Sequence, residues 1–191
     1  MAELASRWDR YALHPERYVC SEPATTGPTV AKILDAMPAE GTVLDLGCGQ
    51  GRLAVPVATS RPDLNVIAVD LSPRMLCHAA HHKQVRYLRG NGYTIPPTVG
   101  RLDGAWSVLL FQHLPVDTIA RYLFSLAEHL RVGAPLLAQY VIGDHHLDLD
   151  HRYQPRELNH LAQAAGFTDV TTCRHEVVDN WGWLHARRGP A

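Results

Sequence analysis

The chain has 191 residues, 46% of them apolar, with 18 basic against 19 acidic side chains and a formal net charge of −1. That length and apolar fraction suit one domain, 1–191, with a sizeable core. Balanced charge excludes the global basic field that grips nucleic acid or anionic membrane without specificity. The longest apolar runs, 105–111 and 134–142, have the length of buried strands and fall short of the roughly 18 residues a membrane span needs. Near the start, acidic and basic residues interleave where a signal peptide requires an unbroken apolar stretch, so a cytoplasmic location is expected. Cys20, Cys48, Cys77 and Cys173 form no CxxC pair, which reads as four reduced thiols rather than a zinc ribbon or a disulfide framework.

Residues 1–27 carry Trp8, Tyr11, His14 and Tyr18 without a sustained apolar stripe and break at Pro23, Gly27 and Pro28. They are expected to form an appendage or lid on a core over 28–188. From Thr29, Val30, Ile33, Leu34 and Met37 follow helical spacing until Pro38. A strand over 42–46 then leads through three glycines into a helix over 52–59. The alternation continues with a strand over 65–69, a helix over 72–82 opened by Ser72-Pro73, and a strand over 85–88. Next come a strand over 105–110, a helix over 116–130 and a strand over 135–142. The last elements are a helix over 155–165 and two strands, 167–173 and 180–187, joined without a helix. Repeated βαβ units call for a doubly wound, mostly parallel sheet with helices on both faces, and the helix-free pair must be antiparallel. Seven strands are expected in all.

In such a sheet ligands bind at the carboxyl ends of the strands, usually at the first strand's loop. The loop reads VLDLGCGQGR over 43–52, a D-x-G-x-G-x-G pattern formed by Asp45, Gly47, Gly49 and Gly51. Arg52 stands where the dinucleotide fingerprint G-x-G-x-x-G needs its third glycine, and no GK[ST] follows, so neither a nicotinamide cofactor nor a Walker loop is indicated.

Over about 29–188 the sequence resembles the class I S-adenosylmethionine-dependent methyltransferases. VLDLGCGQG looks like their first motif, IAVDLS at 67–72 their second and GNGYTIP at 90–96 their third. LDGAWSVLLFQHLP at 102–115 matches the fourth strand and helix entry, and YQPRELNHLAQAAGF at 153–167 the late helix. The resemblance implies S-adenosylmethionine as cofactor and S-adenosylhomocysteine as product. It places Asp45 toward the methionine amino group, with Gly47, Cys48 and Gly49 lining the cofactor. Asp70 would bond both ribose hydroxyls, a fit for one carboxylate with two acceptor oxygens. Asn91 stands where the family usually has the acid thought to bond the adenine amino group, and keeps an acceptor oxygen. Leu71, Gly92 and Ser107 complete the expected cofactor lining.

For the chemistry, His113 in FQHLP is the candidate general base, because it follows the fourth strand and imidazole titrates near neutral pH. In phosphoethanolamine-type methyltransferases, which QHL resembles, a histidine here pairs with an N-terminal tyrosine. Tyr11 and Tyr18 are available for that part. The fourth strand ends in SVLL rather than [DN]PP[YF], which disfavours nucleic-acid amino groups, and it lacks the acids of magnesium-dependent catechol enzymes. DHHLDLDH at 144–151, with His145, His146, Asp148 and His151, reads as a polar loop over the cleft, and no metal is expected. The expected acceptor is a small molecule methylated at O, N or S, handled by a monomer or homodimer without nucleic-acid or membrane partners. Two other readings fit the same motifs: a cofactor-retaining enzyme of another chemistry, such as cyclisation, and a non-catalytic cofactor-binding partner.

Overall fold

A computed structural model of the chain describes residues 2–13, 23–143, 151–176 and 178–190. Seven strands, β1 (Gly41–Leu46), β2 (Leu64–Asp70), β3 (Val85–Arg89), β4 (Gly104–Ser107), β5 (Pro135–Val141), β6 (Phe167–Arg174) and β7 (Trp181–Arg188), form one sheet in the order β3-β2-β1-β4-β5-β7-β6. Neighbours from β3 through β5 pair in parallel, while β7 runs antiparallel between β5 and β6. The expected doubly wound sheet with its antiparallel C-terminal pair is therefore present.

Helices α1 (Ala2–Tyr11), α2 (Pro23–Ala36), α3 (Ala54–Ser60), α4 (Pro73–Cys77), α5 (Val116–His129) and α6 (Pro155–Ala164) accompany it. Strand alternation sends Leu44 and Leu46 to the face covered by α5 and α6, and Val43 to the face covered by α2 and α3. Two apolar layers result, one around Leu123, Leu126 and Leu158, the other around Ile33, Val57 and Trp106. Among the described residues no helix is long and apolar enough to cross a membrane.

Four elements differ from the sequence expectation. The N-terminal segment contains a true helix, α1, whose Leu4, Trp8 and Ala12 recur at i, i+4 and i+8; Ala12 is buried and Leu4 packs on the core. The α2 helix starts at Pro23, so Gly27 and Pro28 lie inside it rather than marking a boundary. The helix expected over 72–82 stops at Cys77, because the chain beyond it is claimed by tertiary contacts: Ala80 N–H donates to Gln50 O and Tyr87 Oη donates to Ala80 O. The fourth strand ends at Ser107 instead of 110. Leu109 then adopts a positive φ of 59° and turns the chain into a 3-10 turn over Phe111–His113.

Candidate active site

β1 and β4 are neighbours in the sheet although they are far apart in the chain, and at such a switch point ligands bind beside the carboxyl ends of the strands. Backbone groups assemble its floor. Gly47 N–H and Cys48 N–H both donate to Val69 O, at 2.8 and 3.1 Å, which hangs the glycine loop from the end of β2. Gly90 N–H donates to Asp70 O at 2.8 Å and so draws in the loop after β3. Across the switch, Ser107 Oγ donates to Leu46 O at 2.9 Å and ties β4 to β1.

Asp70 is the hub. Its Oδ2 accepts Gly49 N–H and its Oδ1 accepts Ser72 N–H, both at 2.8 Å. Ser72 in turn caps α4, accepting Met75 N–H at its Oγ. Burial raises the Asp70 pKa, opposed by the backbone N–H groups it accepts. Asp45 is 2% exposed, and its Oδ2 makes no hydrogen bond. Burial pushes its pKa up to about 7, with the Arg52 guanidinium pulling down and the Asp70 charge pushing up. Cys48 is buried beside both acids, so its thiol is pushed well up and stays protonated.

The glycines have different reasons to be there. Gly49 has a φ of +55°, and a Cβ built on it would meet nothing within 4 Å; Gly51 has a φ of +78°, and its Cβ would fall 2.0 Å from Tyr87 Oη. Gly49 therefore borders open space, whereas Gly51 allows close packing against β3.

These groups line a cleft of about 700 Å³. The opposite wall is α1. Asp9 accepts Ser72 Oγ–H and the Arg74 N–H, which seats α1 on α4 and brings Leu4 and Trp8 into the same cleft. His113 also lines it, its ring edge-on to Trp8 at 4.8 Å between centroids. The turn carrying His113 is held from behind, since His151 N–H donates to Gln112 O and Tyr153 Oη donates to Leu114 O.

Of the residues singled out from sequence, Asp45, Gly47, Cys48, Gly49, Asp70, Leu71, Gly92 and His113 converge on this cleft. Three others point to different roles. Asn91 lies outside the lining, its Oδ1 accepting Tyr93 N–H and Thr94 N–H in a local turn. Ser107 is fully buried and its hydroxyl is engaged between strands. Tyr11 packs 5.4 Å from Trp8 beneath Arg7, and it is Trp8 that lines the cleft. Tyr18 lies outside the described residues, as do His145, His146 and Asp148. Leu4, Trp8, Gln112 and Tyr122 line the cleft without having been singled out for it. The i, i+4 spacing of Leu4 and Trp8 carried the signal for the first two; nothing in a single sequence marks the others.

Residues 43–133, which run from the glycine loop through α5, match the family model described as a methyltransferase domain. That stretch is a methyltransferase domain, and the sheet around it has the fold of the class I S-adenosylmethionine-dependent methyltransferases. The chain is 31% identical over 163 residues to trans-aconitate 2-methyltransferase of Deinococcus radiodurans, covering 83% of the chain and 60% of the relative. It is 50% identical over 184 residues to the secondary metabolism regulator laeA of Monascus pilosus, covering 78% of the chain and 47% of the relative. The chain thus spans only about half the length of these curated relatives. Among solved structures, the DhpI complex with S-adenosylhomocysteine superposes with a TM-score of 0.77 at 19% identity, over 98% of this chain and 96% of that one. The methyltransferase domain and the fold expected from the motifs both stand.

Proposed function

We propose that this chain moves the methyl group of S-adenosylmethionine to a heteroatom of a small molecule held between α1 and the turn over Phe111–His113. The residues present fit the cofactor. Asp45 offers a buried carboxylate oxygen with no partner to an ammonium group. Each Asp70 oxygen accepts one backbone N–H and retains a lone pair for a ribose hydroxyl. The open space at Gly49 admits the methionine portion.

When bound, S-adenosylmethionine supplies an electrophilic methyl group on a sulfonium centre. The chain's own residues orient and dehydrate the reactants, which is most of what such a displacement requires. His113 takes the acceptor's proton where the acceptor is protonated, with Trp8 fixing the ring edge-on.

The observation that carries the reading is the placement of α1. Leu4 and Trp8 line the cleft together with Gly47 and Asp70, and the whole cleft, cofactor space included, has a volume in the range that suits small ligands, roughly 300–1,000 Å³. A macromolecular acceptor needs an open face at this point. The test is S-adenosylhomocysteine release with a panel of small acids, amines, phenols and thiols beside a protein extract. Turnover with a member of the panel supports the proposal. Methyl transfer into the extract alone, or cofactor binding without turnover on any acceptor, overturns it.

A further inference from the structure

Two carboxylates face one glycine loop from neighbouring strands, Asp45 from β1 and Asp70 from β2, and their surroundings are unequal. Asp70 accepts two backbone N–H groups, which favour its charged form. Asp45 is 2% exposed and one of its oxygens is unpartnered. The groups that act on Asp45 come from every side: Arg52 from the turn before α3, Cys48 from the loop, Asp70 from β2 and Tyr87 from β3, with the indole of Trp106 as its register partner on β4. The Cys48 thiol and the Tyr87 phenol are both pushed up by burial and stay neutral. Trp106 does not titrate. Among the described residues Arg52 is the cation that acts on Asp45 against the Asp70 charge, and a site out of water with surplus negative charge retains a proton on the acid whose carboxylate has an unpartnered oxygen.

We propose that the ligand-free cleft stores a proton on Asp45 and that the ammonium group of an incoming ligand displaces it, so that ammonium recognition and proton release are a single event. The inference rests on reading the cleft as the S-adenosylmethionine site. Because burial places the Asp45 titration near 7, the exchange falls at neutral pH. Affinity for an ammonium-bearing ligand then rises by about eightfold between pH 6.0 and 7.5, the linkage ratio for a titration centred near 7. A ligand with the same nucleoside but no ammonium group lacks that part of the rise.

Calorimetry with S-adenosylhomocysteine and with 5′-methylthioadenosine, each in paired buffers of different ionisation heat, reads the protons released. The nucleoside is common to both ligands, so the contribution of Asp70 at the ribose cancels in the comparison. The expected difference is about 0.9 proton at pH 6.0, falling to about one-quarter at pH 7.5. In Asp45→Asn the difference disappears, while binding of 5′-methylthioadenosine is retained and reports an intact fold. If that variant does not fold, the two-ligand comparison in the parent decides. Equal proton counts for the two ligands, or a difference that survives in Asp45→Asn, overturn the proposal while leaving the cofactor reading in place. If neither ligand binds, the cofactor reading fails and takes the proposal with it.

Discussion

At the scale of single residues, Asp70 combines two tasks that are separable by experiment. It accepts the N–H groups of Gly49 and Ser72, and it faces the cleft. Asp70→Ala is expected to weaken S-adenosylhomocysteine binding by about ten- to a hundredfold, the scale of about 1.5–3 kcal/mol for hydrogen bonds to a charged group. Calorimetry would show an unchanged affinity if the carboxylate served the fold alone. The glycines divide in the same way. Gly49→Ala carries only the strain of a positive φ, so it should lower stability by about 1–2 kcal/mol and weaken ligand binding. Gly51→Ala adds a collision with Tyr87, whose hydroxyl is anchored on Ala80 O, and should melt lower still, with a further loss of several degrees. Equal melting of the two variants would contradict this assignment. For His113, replacement by Ala should slow the chemical step about a hundredfold with cofactor affinity nearly unchanged. Because the neutral base is the active form, the parent's single-turnover rate should climb with pH and level off, and the variant should lose that titration. A folded variant with the parental rate and profile would remove His113 from the chemistry. The first and second motifs made Asp45, Gly49 and Asp70 legible as a group, since acid-to-glycine spacing survives folding unchanged. Asn91 shows the limit of such reading: its spacing matches the third motif, yet its side chain closes a local turn.

At the scale of elements, the helices and strands with strong periodicity, α5 and β2 among them, stand within a residue or two of where the sequence places them. Those that differ do so where tertiary contacts outweigh local pattern. The chain after α4 is drawn to the glycine loop, and the chain after β4 turns at Leu109, which together with Leu110 lines the cleft. The α1 helix is hard to see in the sequence because its apolar stripe, Leu4, Trp8 and the following Ala12, is too short to stand out in a segment rich in charge. Its attachment rests on Asp9, and Asp9→Ala removes the acceptor for both Ser72 Oγ–H and Arg74 N–H. The expected result is local: amide exchange in α1 faster by about fivefold, corresponding to about 1 kcal/mol for a lost hydrogen bond, with little change in the melting of the sheet. Exchange at the parental rate throughout α1 would show that its apolar face alone holds it down.

At the scale of the whole molecule, buried titratable groups set opposing pH dependences. His175 and His185 have pKa values lowered, first by burial, so the stability they contribute is present above the ordinary histidine range and lost as pH falls through and below it. Asp45 has its pKa raised to about 7 by burial, so its contribution is present at acid pH and lost as pH rises toward 7. The ligand-free protein should therefore melt highest on the acid side of neutrality. Asp45→Asn should melt several degrees above the parent at pH 8, although it binds the cofactor less well. Thermal scans from pH 5 to 8 check this, and a variant that melts below the parent at pH 8 would refute it. The direction of β7 has a practical bearing as well. Its last residues lie beside the start of β5, with Arg187 opposite Pro135, so the chain leaves the sheet at the end remote from the cleft, while α1 lies on the cleft itself. A fusion partner or surface anchor joined after residue 190 points away from the ligand entrance. The same addition ahead of α1 would load the wall that closes it.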